Sequence, residues 1–91
     1  MELTSKQIHI LTVILKKNPD GRAVDLDQIL SRLPYETTKD SLHFSLRALI
    51  KKGLIEKGGF ENRRGKRRRI IQLSKLGESL LTIEESEEYL D

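Results

Sequence analysis

The chain has 91 residues, 17 of them Lys or Arg and 14 Asp or Glu, for a formal net charge of +3. That length makes one domain near the lower end of independent stability, and a hydrophobic share of 36% supplies one modest core. The absence of cysteine excludes disulfides and thiolate chemistry, no apolar run reaches the roughly 18 residues of a membrane span, and the N-terminus is not a signal peptide, so a cytoplasmic, nucleoid-associated protein is expected.

Charge is sorted along the chain. Residues 1–50 are nearly balanced, with seven basic and six acidic side chains. Residues 51–75 hold ten basic and two acidic ones, and residues 76–91 hold six acids and no base. Such asymmetry points to a polyanionic partner.

The stretch from Leu3 to Lys17 reads as a helix, with Thr4 and Gln7 at capping-box spacing. Ile8, Leu11 and Leu15 form one apolar stripe. Ile10, Val13 and Ile14 fall outside it, which calls for a second contact, either the last helix of the same chain or another subunit. Asn18 to Gly21 make a turn, and Arg22 to Val24 has room for one short strand. Asp25 to Leu33 reads as the second helix, with Asp25 and Gln28 again at capping-box spacing, an apolar stripe of Leu26, Ile29, Leu30 and Leu33, and Pro34 as its stop. A third helix spans about Thr38 to Lys52, capped by Thr37 or Thr38, with Leu42, Leu46, Leu49 and Ile50 inward and Gly53 at its end.

Two strand candidates follow, Leu54 to Phe60 and Arg67 to Ser74, around a loop centred on Asn62 to Lys66 in which Gly65 is free to take positive φ. The tip and return strand contain ENRRGKRRRI, in which six of ten residues are Arg or Lys. Ser74 caps a last helix with an apolar edge of Leu76, Leu80 and Ile83, weakened by Gly77 by about 1 kcal/mol relative to Ala. The order is α-(β)-α-α-β-β-α, mainly α with a small β-hairpin (α+β): a winged helix-turn-helix over residues 1–83, followed by an acidic tail, 84–91, expected to fray or be disordered.

TTKDSLHFSLRALIKKGLIEK and IIQLSKLGESLL carry a family likeness. A helix ending in L-x-x-K-G-L-I, a charged hairpin and L-[ST]-x-x-G at the last helix resemble the DNA-binding core of MarR-type transcriptional regulators, as does the opening LTSKQIHIL. The likeness covers residues 3 to 81. It departs at the wing, where Gly65 stands in place of the Asp of the family's Asp-x-Arg signature. The long flanking helices that build a dimer and a ligand pocket in that family are not in this sequence, so a small-molecule effector is not expected.

A winged helix places its third helix in the major groove. Helical spacing puts Asp40, His43, Phe44 and Arg47 on the side opposite the apolar stripe. The resemblance adds Thr38, Lys39 and Ser41 to His43 as positions that meet DNA. Lys39 or Arg47 suits guanine or phosphate, and Phe44 either touches a thymine methyl or packs under a neighbouring element. In the wing, Arg63, Arg64 and Lys66 are expected at the tip. Strand alternation puts Arg67 and Arg69 on one face and Arg68 with Ile70 on the other, so Arg67 and Arg69 join the DNA-facing set. The plain alternative is a solvated basic loop.

Ile10, Val13, Ile14, Leu80 and Ile83 are assigned to a homodimer surface or to packing within one monomer. His9 and His43 lie on different helices without metal-ligand spacing. No phosphate loop or nucleophile–base pair is evident, so neither catalysis nor a cofactor is expected. The function these residues imply is sequence-specific double-stranded DNA binding by a transcriptional regulator acting as a homodimer. The alternative is a winged-helix module of a nucleoprotein assembly, such as a replication or architectural factor or an RNA binder. The acidic tail is either a solubilising end or a screen over the basic wing. Deletion of residues 84–91 separates the two: tighter binding to random duplex at low salt marks a screen, and unchanged binding marks a solvated end.

Overall fold

Residues 2–81 are described by the computed structural model. Ile83 and the acidic tail from Glu84 to Asp91 lie outside the described residues. The elements are α1 (Ser5–Lys16), β1 (Val24–Asp25), α2 (Leu26–Arg32), α3 (Lys39–Lys51), β2 (Ile55–Arg63) and β3 (Lys66–Leu73), followed by α4, helical from 75 to 81. The three strands form one antiparallel sheet in the order β1-β3-β2. This is the winged helix-turn-helix arrangement, with β2 and β3 as the wing. Among the described residues no helix is long and apolar enough to cross a membrane.

Each helix start is set by its own sequence. The Thr4 hydroxyl accepts from the Gln7 backbone N–H at 3.1 Å, while the Thr4 N–H donates to Gln7 Oε1 at 3.0 Å. Asp25 and Gln28 form the same reciprocal pair at α2. Thr38 caps α3 by accepting from the Ser41 N–H at 3.1 Å. These side chains satisfy backbone donors that a helix leaves unpaired in its first turn.

The core joins Ile10, Leu11 and Ile14 of α1, Ile29 of α2, Leu42, Leu46 and Leu49 of α3, and Ile55, Ile71 and Leu73 of the sheet. This corrects the expected seam of α1: Ile8 and Leu15 are only partly buried, whereas Ile10 and Ile14 are fully inside. Ile10 and Ile14 are therefore satisfied within the chain and present no dimer surface. Val13 and Leu80 are partly buried and pack against the same core. The expected edge of α4 is rotated as well. Gly77 and Leu81 face inward, and Leu76 is 51% exposed.

The rotation of α4 has a backbone cause. α3 ends with the Gly53 N–H donating to the Ile50 carbonyl and the Leu54 N–H to the Leu49 carbonyl, a Schellman closure. The Leu54 carbonyl then accepts from the Ser74 N–H at 3.0 Å, and the Ser74 hydroxyl donates to the Gly53 carbonyl while capping Gly77. α4 thus starts hard against residues 53 and 54, so close that a Cβ at Gly77 would overlap the Leu54 carbonyl oxygen. Gly77 is required by packing, although helix propensity alone disfavours it.

Gly77→Ala tests this directly. Propensity alone would stabilise α4 by about 1 kcal/mol; the overlap instead predicts a net loss of about 1–3 kcal/mol. Urea unfolding followed by circular dichroism measures it, and a raised midpoint would reject the packing argument.

Candidate nucleic-acid interface

The wing turns through two residues, Arg64 and Gly65, both at positive φ (52° and 77°). This is the geometry of a tight type I′ hairpin. The connection is therefore shorter than the expected Asn62–Lys66 loop, and pairing continues to Arg63↔Lys66. A bulge interrupts the ladder lower down. Lys57 pairs with Ile71 and Phe60 with Arg69, leaving Gly58 and Gly59 opposite Ile70. Without this extra residue Lys57 and Phe60 would point to opposite faces. With it both fall on the face shared by Arg67, Arg69 and Ile71. Arg69 closes the bulge by donating from Nη1 to the Gly58 carbonyl at 2.9 Å.

The alternation expected for the three successive arginines is present, and it divides the wing's charge. On one face lie Arg63 and Arg68. Arg63 Nη1 donates to the Ala23 carbonyl at 2.8 Å and faces Asp25, while its Nη2 pairs with Glu61 at 3.3 Å. Arg68 pairs with Asp27 and donates from Nε to the Arg63 carbonyl. Arg64, in the turn, folds back to give both Asp25 carboxylate oxygens a hydrogen bond, at 2.8 and 2.9 Å. Arg63 and Arg64 do stand at the tip of the hairpin, with their guanidinium groups turned back toward β1. The Arg63 side chain is only 11% exposed, and Asp25 engages both.

Asp25 is fully buried. Burial by itself would raise its pKa, but hydrogen bonds from Arg64, the Gln28 N–H and Arg63, with the charge of Arg64, outweigh this and hold it below the usual aspartate value near 3.8.

On the other face Arg67 and Arg69 have no carboxylate partner among the described residues, nor does Lys66, which lies opposite Arg63 beside the turn and also lines the cleft. Arg67 and Arg69 set their guanidinium carbons 4.3 and 4.0 Å from the Phe60 ring centroid. Across from them stands α3. A cleft of about 470 Å³ separates α3 from the wing, with Lys39, His43 and Arg47 on the helical side and Phe60, Arg67 and Arg69 on the strand side. Lys39 reaches Asp27 at 3.5 Å, an exposed pair of little energetic weight.

The recognition-helix set is divided by role. Lys39, Ser41, His43, Phe44 and Arg47 are all exposed. Phe44 is 69% exposed, which removes the alternative that it packs under a neighbour. Thr38 is the N-cap, and its hydroxyl also donates to Ser41 Oγ at 3.0 Å, so both hydroxyls are engaged at the helix start. Lys57 and Phe60 belong to the cleft and were missed in the sequence. The Gly58–Gly59 pair was the available signal, since paired glycines within a strand mark bulges. Among the described residues no group of three or more His, Asp or Glu is arranged to hold a metal ion.

Similar folds occur among solved structures. FabT of Streptococcus pneumoniae in complex with DNA superposes with a TM-score of 0.74 at 22% identity, over 98% of this chain and 57% of that one. A PadR family transcription regulator from hypervirulent Clostridium difficile gives 0.71 at 19% identity, covering 96% of this chain and 90% of that one. The S. aureus MepR–DNA complex gives 0.67 at 24% identity, over 97% and 63%. The chain thus spans well under two thirds of FabT. At these identities the similarity is one of fold, and the fold is the winged helix implied by the resemblance to MarR-type regulators. No family model matches the chain, and no curated protein matches its sequence.

Asp25→Asn keeps an N-cap side chain but leaves Arg63 and Arg64 without their carboxylate. It should cost up to about 3 kcal/mol, less than a fully buried broken pair because Arg64 is half exposed and rehydrates. The pH dependence has a definite sign. A carboxyl whose pKa is lowered by folding contributes stability above its unfolded value, lost as pH falls through the folded one. Wild-type stability should therefore drop below about pH 3.8, and the variant's acid limb should be shallower in urea titrations across that range. Parallel limbs would exclude Asp25 as a source of the acid response.

Proposed function

We propose that this chain is a sequence-specific double-stranded DNA-binding transcriptional regulator. The observation that carries the reading is a cluster of charge: Arg47 of α3 and Lys57, Lys66, Arg67 and Arg69 of the wing, which have no carboxylate partner among the described residues, line one cleft between α3 and the wing. In this reading α3 enters the major groove with Lys39, Ser41, His43, Phe44 and Arg47 toward the base edges. Lys66, Arg67 and Arg69 lie along the backbone or reach into the minor groove. The FabT and MepR structures named above with DNA share the fold, which supports the docking mode.

A single module covers limited DNA surface, so the reading includes two copies on a palindrome with half-sites about one helical turn apart. With Ile10 and Ile14 inside the monomer core, the pairing surface lies elsewhere than on that face of α1. Sequences selected from a random DNA pool should show such a palindrome. If random duplex competes as well as every selected sequence, the regulator reading fails.

The division of charge predicts different behaviour for neighbouring cations. Lys66→Ala and Arg67→Ala should each flatten the plot of log affinity against log salt by about one unit, the signature of one lost phosphate contact. Arg63→Ala should leave that slope unchanged and lower the unfolding midpoint instead. Equal slope changes for all three, from anisotropy titrations at several salt concentrations, would contradict the assignment.

A further inference from the structure

The chain contains two phenylalanines, and neither is in the core: Phe44 is 69% and Phe60 48% exposed. Phe44 stands on α3, where a duplex-reading helix has use for it. Phe60 stands on the wing, and a contact to duplex phosphates does not explain it. Its ring holds the guanidinium groups of Arg67 and Arg69, yet its exposure forgoes the burial that normally stabilises such a residue.

The surroundings of Phe60 are specific. The bulge at Gly58–Gly59 brings it to the cleft face. There Arg67 and Arg69 place flat guanidinium groups 4.3 and 4.0 Å from its centroid, and Arg69 is fixed by its bond to the Gly58 carbonyl. The cleft is also lined by apolar Leu46, Ile50 and Ile71 and by more cations than carboxylates, Lys39, Arg47, Lys57 and Lys66 among them, with Asp25 and Asp27 each engaged by an arginine. Planar π-surface, apolar side chains and positive charge are the components of a nucleobase-stacking site. Bases inside a duplex already stack on each other and have no free face, so such a site serves only an unpaired base.

We propose that Phe60, Arg67 and Arg69 form a stacking site for an unpaired nucleobase, so that the protein binds duplex DNA carrying a single-stranded extension more tightly than blunt duplex. The base stacks on the Phe60–guanidinium surface, and Lys66 contacts a flanking phosphate. The inference rests on the same interface as the regulator reading but adds a ligand to it.

The experiment compares three DNA probes with the full chain by fluorescence anisotropy: a blunt duplex, the same duplex with a short oligothymidine overhang, and the same overhang built from abasic units. Wild type should bind the thymidine overhang about fivefold or more tighter than the blunt duplex, and the abasic overhang with no such gain. In Phe60→Leu the ratio of overhang to blunt affinity should fall toward one, whatever the blunt affinity becomes. An abasic overhang that matches the thymidine one would overturn the proposal, since the gain would then be phosphate attraction alone. So would a ratio that survives Phe60→Leu. Failure of wild type to bind any blunt duplex would instead count against the regulator reading, so the two are separable.

Discussion

A single buried carboxylate connects the parts of this protein. Asp25 ends β1, caps α2 and receives the guanidinium groups of Arg63 and Arg64 from the wing. A lone buried carboxylate would cost several kcal/mol, and it is tolerated only because its oxygens are filled by the Gln28 N–H and two arginines. Those arginines come from the far end of a long hairpin. The wing cannot be repositioned without exposing that charge to an unpaired state, so one residue couples the start of the helix-turn-helix to the orientation of the wing beside α3.

A second constraint fixes the other end of the hairpin. Gly53, Leu54 and Ser74 exchange backbone and hydroxyl hydrogen bonds where β2 leaves α3 and β3 enters α4. Gly77 lets α4 sit directly on Leu54. The wing is therefore anchored at its base by backbone contacts and near its tip by ion pairs. Between the anchors the Gly58–Gly59 bulge re-aims the outer strand, and that decides which side chains look into the cleft.

The two anchors give the basic cluster two purposes. Arg63, Arg64 and Arg68 are committed to Asp25 and Asp27 and hold the wing in place. Lys66, Arg67 and Arg69 keep their charge available on the cleft side. Net charge alone does not reveal this. Of a run of six cations only three have no carboxylate partner among the described residues, and those three line the cleft beside α3.

Much of the architecture was legible because its signals are local. The capping pairs Thr4–Gln7 and Asp25–Gln28, the stripe Leu42–Leu46–Leu49, the helix end at Gly53 and the alternation of Arg67, Arg68 and Arg69 each depend on residues a few positions apart. The exact buried face of α1, the requirement for Gly77 and the inward turn of Arg63 were not legible. Ile10 and Ile14, unlike Ile8, are covered by segments distant in sequence, and the charge that captures Arg63 and Arg64 lies 38 and 39 residues away. By itself the sequence determined the order of elements, the helix caps and the concentration of positive charge in the wing, because these follow from short-range hydrogen bonding and periodicity. Only the tertiary structure decided which cations are neutralised and that Phe60 faces the cleft, because ion pairing and strand register are settled by what the folded chain brings together.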